Sequence, residues 1–259
     1  MSSEPNLLVE HPSDGVLLLK LNRPDKMNAL ATPLLKEVSE AMRAGDEDST
    51  IRVMVITGNA KAFAAGADIN ELSKRSAIDG LNDDRPFIWN SIRAVRKPIL
   101  AAVEGYCLGA GNELLMCADI AIAGQGAKFG QPESNLGIIP GAGGATLLPR
   151  LVGQQRAMRM VLLGEFITAE EAKSCGLISE VTEKGRALPR TLELGSKIAA
   201  RAPLAMQQGK AVVKGALNSN LTSGLTEERQ AFSLLLSTED KKLGIEAFLN
   251  KEKAHWEGK

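Results

Sequence analysis

Three short apolar runs constrain the fold of this chain more than any other feature of its sequence. They are Val53–Thr57, Ile99–Val103 and Ile120–Ala123. Runs that do not alternate apolar with polar residues are typical of parallel strands covered on both faces. Helical patterns are predicted between and after them, so the sequence favours an α/β fold with strand-helix alternation. These helical patterns cover residues 84–95, 111–118 and 143–152.

The first fifty residues predict a β-hairpin followed by a helix. The strands of the hairpin are Leu7–Glu10 and Val16–Leu21, and the turn-forming cluster at residues 12–15 joins them. A helix is then expected over Asn28–Ala44, because leucine, valine and methionine recur there at helical spacing. Both elements precede the first buried strand.

The strand signals stop near residue 195, and only helical patterns follow. The predicted helices lie around residues 203–217, 225–236 and 242–250. A break at Arg201-Ala202-Pro203 precedes the first of them, since proline ends or begins helices. We therefore expect an α/β core at residues 1–195 and a helical C-terminal subdomain at residues 196–259.

Charge and cysteine content narrow the class of protein. The 31 basic residues balance 31 acidic ones, so no global field favours nucleic acid or an anionic membrane. No apolar run approaches the roughly 20 residues of a membrane-spanning helix, and the N-terminal residues do not resemble a signal peptide. The three cysteines are odd in number, widely spaced and suited to a reducing compartment. We expect a cytoplasmic protein that binds neither nucleic acid nor membranes.

Several kinds of catalytic machinery are absent from the sequence. The two histidines, His11 and His255, are expected at the surface, so a histidine-based catalytic triad is hard to build. No nucleophile elbow, no phosphate-binding P-loop and no dinucleotide fingerprint occurs, and the glycines at 141–144 do not complete one. The sequence therefore predicts neither a metal site nor a nicotinamide or ATP site.

Three stretches rich in small residues follow predicted strands. They occupy residues 61–68, 105–113 and 129–144. Small residues allow backbone N–H groups to approach a ligand, and two such groups from separate loops could form an oxyanion hole. For each loop taken alone, the alternative is a tight turn without a ligand. The occurrence of three such loops favours a binding role.

Two glutamates stand out within these stretches. Glu113 lies near the start of an otherwise apolar helix, where its structural alternative is a favourable interaction with the helix dipole. Glu133 directly follows Pro132 and could be an ordinary loop carboxylate. Both carboxylates lie among small residues, which favours a functional role over an ordinary turn.

At these motifs the sequence resembles the crotonase family of coenzyme A-thioester enzymes, over nearly its whole length. Asn22-Arg23-Pro24 with Asn28-Ala29-Leu30 resembles the N-terminal family signature. Three further segments resemble the family's two oxyanion loops and the segment of its second catalytic glutamate. These segments are AFAAGADI at 62–69, GYCLGAGNEL at 105–114 and FGQPESNLGIIPGAGG at 129–144.

The resemblance implies roles for individual residues. Glu113 and Glu133 would be the catalytic pair, and the backbone N–H groups of Ala65 and Ala110 would form the oxyanion hole. Lys26 and basic residues of the C-terminal helices would meet the phosphates of coenzyme A. The further residues expected to contact the substrate are Ala29, Ala65, Gly66, Ala67, Asp68 and Gly109.

The resemblance also implies a fold and an assembly. The fold would be a spiral of ββα turns, and the C-terminal helical subdomain would serve trimerisation, giving a homotrimer or a homohexamer. No cofactor is expected, since coenzyme A enters as part of the substrate. These expectations come from the family, because composition and periodicity alone do not predict a spiral or a trimer.

Within the family, the pair of glutamates favours an enoyl-CoA hydratase. Glu113 would deprotonate the water that attacks C3 and Glu133 would protonate C2, with coupled titration and one raised pKa. Segment 81–89 is similar to the 2,3-dehydroadipyl-CoA hydratases of phenylacetate degradation, whereas Ala145–Leu148 departs from the Thr-Gln-Arg-Leu of many hydratases. The alternatives are a Δ3,Δ2-enoyl-CoA isomerase, which usually lacks the first glutamate, and a non-catalytic RNA-binding relative, which the zero net charge disfavours.

Overall fold

The computed structural model describes residues 5–259, in which ten strands and twelve α-helices follow one another along the chain. The strands are β1 (Leu7–Ser13), β2 (Val16–Leu21), β3 (Val53–Thr57), β4 (Ala62–Ala64), β5 (Ile99–Val103), β6 (Tyr106–Leu108), β7 (Ile120–Gly124), β8 (Lys128–Gly130), β9 (Phe166–Thr168) and β10 (Glu180–Thr182). The helices are α1 (Thr32–Glu47), α2 (Ile69–Leu72), α3 (Ala77–Leu81), α4 (Arg85–Arg93), α5 (Ala110–Leu115), α6 (Gly144–Val152), α7 (Gln154–Leu163), α8 (Ala169–Ser174), α9 (Ala187–Ala199), α10 (Pro203–Ala216), α11 (Leu221–Leu235) and α12 (Glu239–Asn250).

The larger sheet contains the three runs that constrain the fold. Its strand order is β1-β2-β3-β5-β7-β10, and every pair is parallel except the hairpin β1-β2. Every residue of β3 and β5 is buried. Met54 and Ile56 face one apolar cluster with α1, whereas Val53 and Val55 face another with α9. Coverage on both faces explains the unbroken apolar runs, and each fully buried side chain contributes about 1.5–3 kcal/mol.

The smaller sheet, β4-β6-β8-β9, lies where the loops rich in small residues begin. Its strands β4, β6 and β8 are parallel, and β9 is antiparallel to β8. Each of these parallel strands directly follows a strand of the larger sheet, giving β3-β4, β5-β6 and β7-β8, and each pair is followed by helical residues. This repeat confirms the predicted α/β fold of ββα turns. It brings the ends of β4, β6 and β8 to one region.

The hairpin is confirmed, but its turn is shorter than predicted, because Pro12 and Ser13 belong to β1 and only Asp14 and Gly15 turn the chain. The prediction that a helix begins at Asn28 is wrong, since α1 begins at Thr32. Asn28 is fully buried with a φ of 56°, and its side chain donates to the carbonyl oxygens of Ala62 and Phe63 at 3.0 and 3.1 Å. Segment 28–31 therefore binds the loop region instead of starting the helix.

The C-terminal quarter is helical, as predicted. Helix α9 packs on β3, β5 and β7, so the predicted division at residue 195 falls inside a helix of the core layer. Helices α10 and α11 pack against each other and contain no buried residue. The division into two units and a role of this region in assembly stay predictions. Across residues 5–259, no helix combines the length and the apolar character needed to cross a bilayer.

Candidate active site

A cavity of about 620 Å³ lies among the loops that follow β4, β6 and β8, with α4 forming another part of its wall. Most of the residues predicted to bind substrate line it. These are Ala65, Gly66, Ala67, Asp68, Gly109, Ala110 and Glu133. Segments that are distant along the chain thus meet at one cavity, which is the geometry that the three loops require for a shared function.

Gly109 permits the close approach of two of these loops. Its φ is +51°, and a Cβ atom there would lie 3.0 Å from Oε1 of Glu133 and 3.6 Å from the Cα of Gly66. Any larger residue would be strained at this φ and would crowd the carboxylate. Helix α5 begins at the next residue, and the N–H of Ala110 meets no acceptor within residues 5–259. The Ala110 N–H is therefore available to a ligand.

The prediction that Ala65 supplies an oxyanion N–H is wrong. The Ala65 N–H donates to the carbonyl oxygen of Met27 at 3.0 Å, so it is already engaged. The N–H of Ala67, two residues later, meets no acceptor in the described part of the chain, and Ala67 lines the cavity. Leu30 donates to the Gly66 carbonyl at 2.8 Å and holds this loop in place. Ala67 and Ala110 thus provide unpaired N–H groups from two separate loops of the described residues.

Glu113 lies in α5, behind the cavity wall, and is 2% exposed. Its Oε1 atom accepts hydrogen bonds from the N–H groups of Ala142 and Gly144, both at 2.7 Å. Burial raises the pKa of Glu113, whereas these two hydrogen bonds and the charges of Arg93 and Arg85 lower it. Ala142 itself lines the cavity. The carboxylate is therefore anchored through one oxygen, and its other oxygen accepts no hydrogen bond from residues 5–259.

Glu133 occupies a 3₁₀ turn at Pro132–Leu136 and lines the cavity directly. Its pKa is raised to about 7, mainly by burial and to a smaller extent by the neighbouring charge of Glu113. The amide of Gln131 is fully buried beside this carboxylate. With its nitrogen turned towards Glu133, the amide donates to the two carboxylate oxygens at 3.1 and 3.2 Å. The sequence patterns predicted neither the role of Gln131 nor the donors at Ala142 and Gly144. The only signal available in the sequence was that Gln131 is polar and directly precedes Pro132.

Burial raises the pKa of both carboxyl groups, but their other contacts differ. Two backbone donors favour the ionised form of Glu113, and half-burial near a second carboxylate favours the neutral form of Glu133. Since the groups influence each other, their titration belongs to the pair. We therefore expect Glu113 to ionise at a lower pH than Glu133, because its backbone donors oppose the effect of burial.

Three predicted contacts have other partners or lie off the cavity wall. Asp68 accepts a hydrogen bond from Arg23 at 2.9 Å, which lowers the pKa of Asp68, and it also caps α2. The carbonyl of Ala29 accepts from Arg23, and the exposed Lys26 lies in the turn Pro24–Lys26. A contact of Lys26 with coenzyme A stays a prediction. Within residues 5–259, no group of three His, Cys, Asp or Glu side chains is placed to hold a metal ion.

Comparison with known proteins decides the family. Residues 11–259 match the enoyl-CoA hydratase/isomerase family. The chain belongs to this family. The resemblance to crotonase enzymes, predicted from the motifs at 62–69, 105–114 and 129–144, is thereby confirmed.

Relatives and solved structures agree with this family assignment. The chain is 47% identical over 252 residues to 2,3-dehydroadipyl-CoA hydratase from Escherichia coli K12, covering 97% of this chain and 99% of the relative. An enoyl-CoA hydratase subunit I from Geobacillus kaustophilus superposes with a TM-score of 0.94 at 36% identity, covering 98% and 99% of the two chains. An enoyl-CoA hydratase from Bacillus anthracis superposes with a TM-score of 0.94 at 32% identity, covering 98% of this chain and 100% of the other. The fold of ββα turns is thus the fold of the family.

Proposed function

We propose that this enzyme catalyses the reversible addition of water across the 2,3 double bond of a 2-enoyl-CoA thioester. One observation carries the proposal: Glu133, whose pKa is raised to about 7, lines the cavity with Ala67 and Ala110, whose backbone N–H groups are unpaired in residues 5–259. Glu113 lies behind the same wall, with two backbone donors on one carboxylate oxygen. Hydration requires a base, an acid and a carbonyl-polarising group, and these residues supply all three. The hydratase names of the family members that the chain resembles support the same reaction.

In the proposed mechanism the thioester oxygen accepts hydrogen bonds from the N–H groups of Ala67 and Ala110. These donors stabilise the negative charge that develops on this oxygen, and one such donor contributes roughly 3–4 kcal/mol. Glu113 takes a proton from water as the water oxygen bonds to C3. Glu133 gives its proton to C2, so the product gains one water and the pair exchanges its protonation states.

The anchoring of Glu113 distinguishes hydration from isomerisation. An isomerase needs one carboxyl group that moves a proton between carbons, and Glu133 alone would suffice for it. The two N–H donors on Glu113 favour the ionised form of a second carboxylate, which lies behind the cavity wall at Ala142. This contact supports the hydratase over the isomerase.

We also propose how the substrate is held and how the protein assembles. Coenzyme A would be part of the substrate, with Lys26 near its phosphates, and no further cofactor would take part. A homotrimer or homohexamer would form through the C-terminal helices, where Leu221 and Phe248 are 79% and 81% exposed. Three free thiols are compatible with a cytoplasmic location. Light scattering tests the assembly, and a monomer mass would refute it.

An isotope experiment tests the reaction itself. The enzyme is incubated with crotonyl-CoA in water enriched in heavy oxygen, and the product is examined by mass spectrometry and NMR. We expect a 3-hydroxyacyl-CoA that carries the heavy oxygen at C3. A product with a shifted double bond and no added oxygen would favour the isomerase instead, and an unchanged thioester would refute both.

A further inference from the structure

Three arginine side chains from the described residues line the cavity, and two of them have partners that account for their position. Arg75 forms an ion pair with Asp83, which receives hydrogen bonds on both of its carboxylate oxygens. Arg93 donates to the carbonyl oxygen of Ala142 and lies 5.7 Å from the ring centre of Trp89. Contacts with other residues of the protein therefore fix the guanidinium groups of both Arg75 and Arg93.

Arg85 differs from the other two. It is the first residue of α4, and its side chain is 15% exposed. Its guanidinium makes one hydrogen bond, to the hydroxyl oxygen of Thr32 at 3.3 Å. Arg85 also forms an ion pair with the carboxylate of Glu71 at 3.7 Å, which is too long for a hydrogen bond. That carboxylate already accepts from the N–H and the hydroxyl of Thr32, both at 2.9 Å.

The remaining guanidinium N–H groups of Arg85 have no acceptor within residues 5–259. The Arg85 nitrogens are not among the fully buried polar atoms that lack a partner, so water in the cavity can satisfy these donors, and a ligand with acceptor oxygens can replace that water. Burial does lower the pKa of Arg85, yet arginine stays protonated in proteins. The fork of a guanidinium matches the two oxygens of a carboxylate.

The guanidinium of Arg85 lies where it can reach the acyl chain of a bound substrate. Arg85 lines the same cavity as Glu133, and its charge lowers the pKa of Glu113, so it lies within electrostatic reach of the catalytic pair. Apolar side chains make up neighbouring parts of the wall, where a hydrocarbon chain would pack. They include Leu72, Trp89, Ile139 and Leu147.

We propose that Arg85 binds a carboxylate at the distal end of the acyl chain, so that the preferred substrates are coenzyme A thioesters of unsaturated dicarboxylic acids. This inference rests on the proposed hydratase function. The name of the Escherichia coli relative, a 2,3-dehydroadipyl-CoA hydratase, supports it, because dehydroadipate is such a diacid.

Two substrates with equally long acyl chains test the inference: 2,3-dehydroadipyl-CoA, which ends in a carboxylate, and 2-hexenoyl-CoA, which ends in a methyl group. We expect Arg85→Gln to lower the ratio of their kcat/KM values about 10- to 100-fold, which is the range for a charged hydrogen bond. Most of the loss should appear as a raised KM for the diacid, because the contact is present before and during the reaction. Arg85→Lys keeps the charge but lacks the paired N–H donors of a guanidinium. Its ratio of kcat/KM values should lie between those of the wild type and Arg85→Gln.

Arg93→Gln is the matched comparison, since it removes the same charge from another part of the cavity wall. A fall of the ratio in Arg93→Gln but not in Arg85→Gln would assign the carboxylate to Arg93 and overturn the inference. An equal loss for both substrates in both Arg85 variants would also overturn it, because a structural role or a shifted Glu113 pKa affects both alike. If the wild type hydrates 2-hexenoyl-CoA without preferring the diacid, only this inference fails. If it hydrates neither, the proposed function fails as well.

Discussion

The surroundings of Glu113 and Glu133 show how two identical side chains at one site acquire different chemistry. Glu113 is anchored by two backbone N–H groups on one oxygen and is almost completely buried. Glu133 lies in a 3₁₀ turn on the cavity wall, beside the amide of Gln131. Burial raises the pKa of both, but only Glu113 receives two strong backbone donors that favour its charged form. The donors, and not the residue type, separate base from acid.

The largest effect should come from removing either member of the pair. Glu113→Gln and Glu133→Gln each keep the side-chain volume and remove one acid-base group, which typically lowers the rate by about 10² to 10⁴. Since both groups act in one hydration reaction, the double variant should be little slower than the slower single variant. Steady-state kinetics with crotonyl-CoA measure kcat for all three. A near-normal kcat in either single variant would remove that glutamate from the mechanism.

The oxyanion donors give the next largest effect. Ala110→Pro removes the unpaired N–H at the first position of α5, where proline is well tolerated in helices. We expect kcat to fall by about 10² to 10³ for every enoyl-CoA, which is the typical cost of one lost donor.

Ala110→Val is the matched control, because it adds bulk at the same position and keeps the N–H. A loss in the valine variant as large as in the proline variant would show that crowding, and not the missing donor, is responsible. Circular dichroism first establishes that both variants are folded. Together the two variants show whether the glutamate pair acts on a thioester held by backbone donors.

The pH dependence of the rate should reflect the different protonation states of the pair. Hydration requires ionised Glu113 and protonated Glu133, and the pKa of Glu133 is about 7. We therefore expect kcat/KM to fall above about pH 7, by about tenfold for each further pH unit. At low pH it should fall again as Glu113 becomes protonated, at a pKa above its ordinary value. An activity that increases steadily to pH 9 would contradict a protonated acid.

The smallest effect concerns stability. The folded pKa of Glu133, about 7, exceeds its ordinary value of 4.5, so the folded state binds more protons than the unfolded state in this window. Stability therefore decreases as the pH rises from 4.5 to 7, by at most about 3 kcal/mol for this half-buried group. Glu133→Gln should then raise Tm by a few degrees at pH 8 and leave it unchanged at pH 4. Calorimetry that gives equal shifts at both pH values would contradict the raised pKa.

Much of the fold could be predicted from the sequence, because local pattern and burial coincide there. The bounds of β3 and β5 match the apolar runs at Val53–Thr57 and Ile99–Val103, since both faces of these strands are covered. The start of α1 could not be predicted. It depends on hydrogen bonds from Asn28 to Ala62 and Phe63, which are more than thirty residues away along the chain.

In the candidate site, too, contacts between residues distant along the chain could not be predicted from the sequence. Its glutamates and loops follow from motifs, but several adjacent small residues offer an N–H group at the first loop. Only the hydrogen bond from Ala65 to Met27 decides that Ala67, and not Ala65, keeps a free donor. The unfilled donors of Arg85 likewise depend on Thr32 and Glu71, which belong to other segments.

The most direct test of the account is a titration of the two carboxyl groups by NMR, with ¹³C-labelled glutamate in Glu113→Gln and Glu133→Gln. We predict that Glu113→Gln retains a carboxyl group that titrates well above 4.5, because burial of Glu133 is the main cause of its raised pKa. In Glu133→Gln the titration near 7 should disappear, and the remaining titration of Glu113 should lie at lower pH. The opposite assignment, with the titration near 7 lost in Glu113→Gln and kept in Glu133→Gln, would contradict the roles of base and acid proposed for this pair.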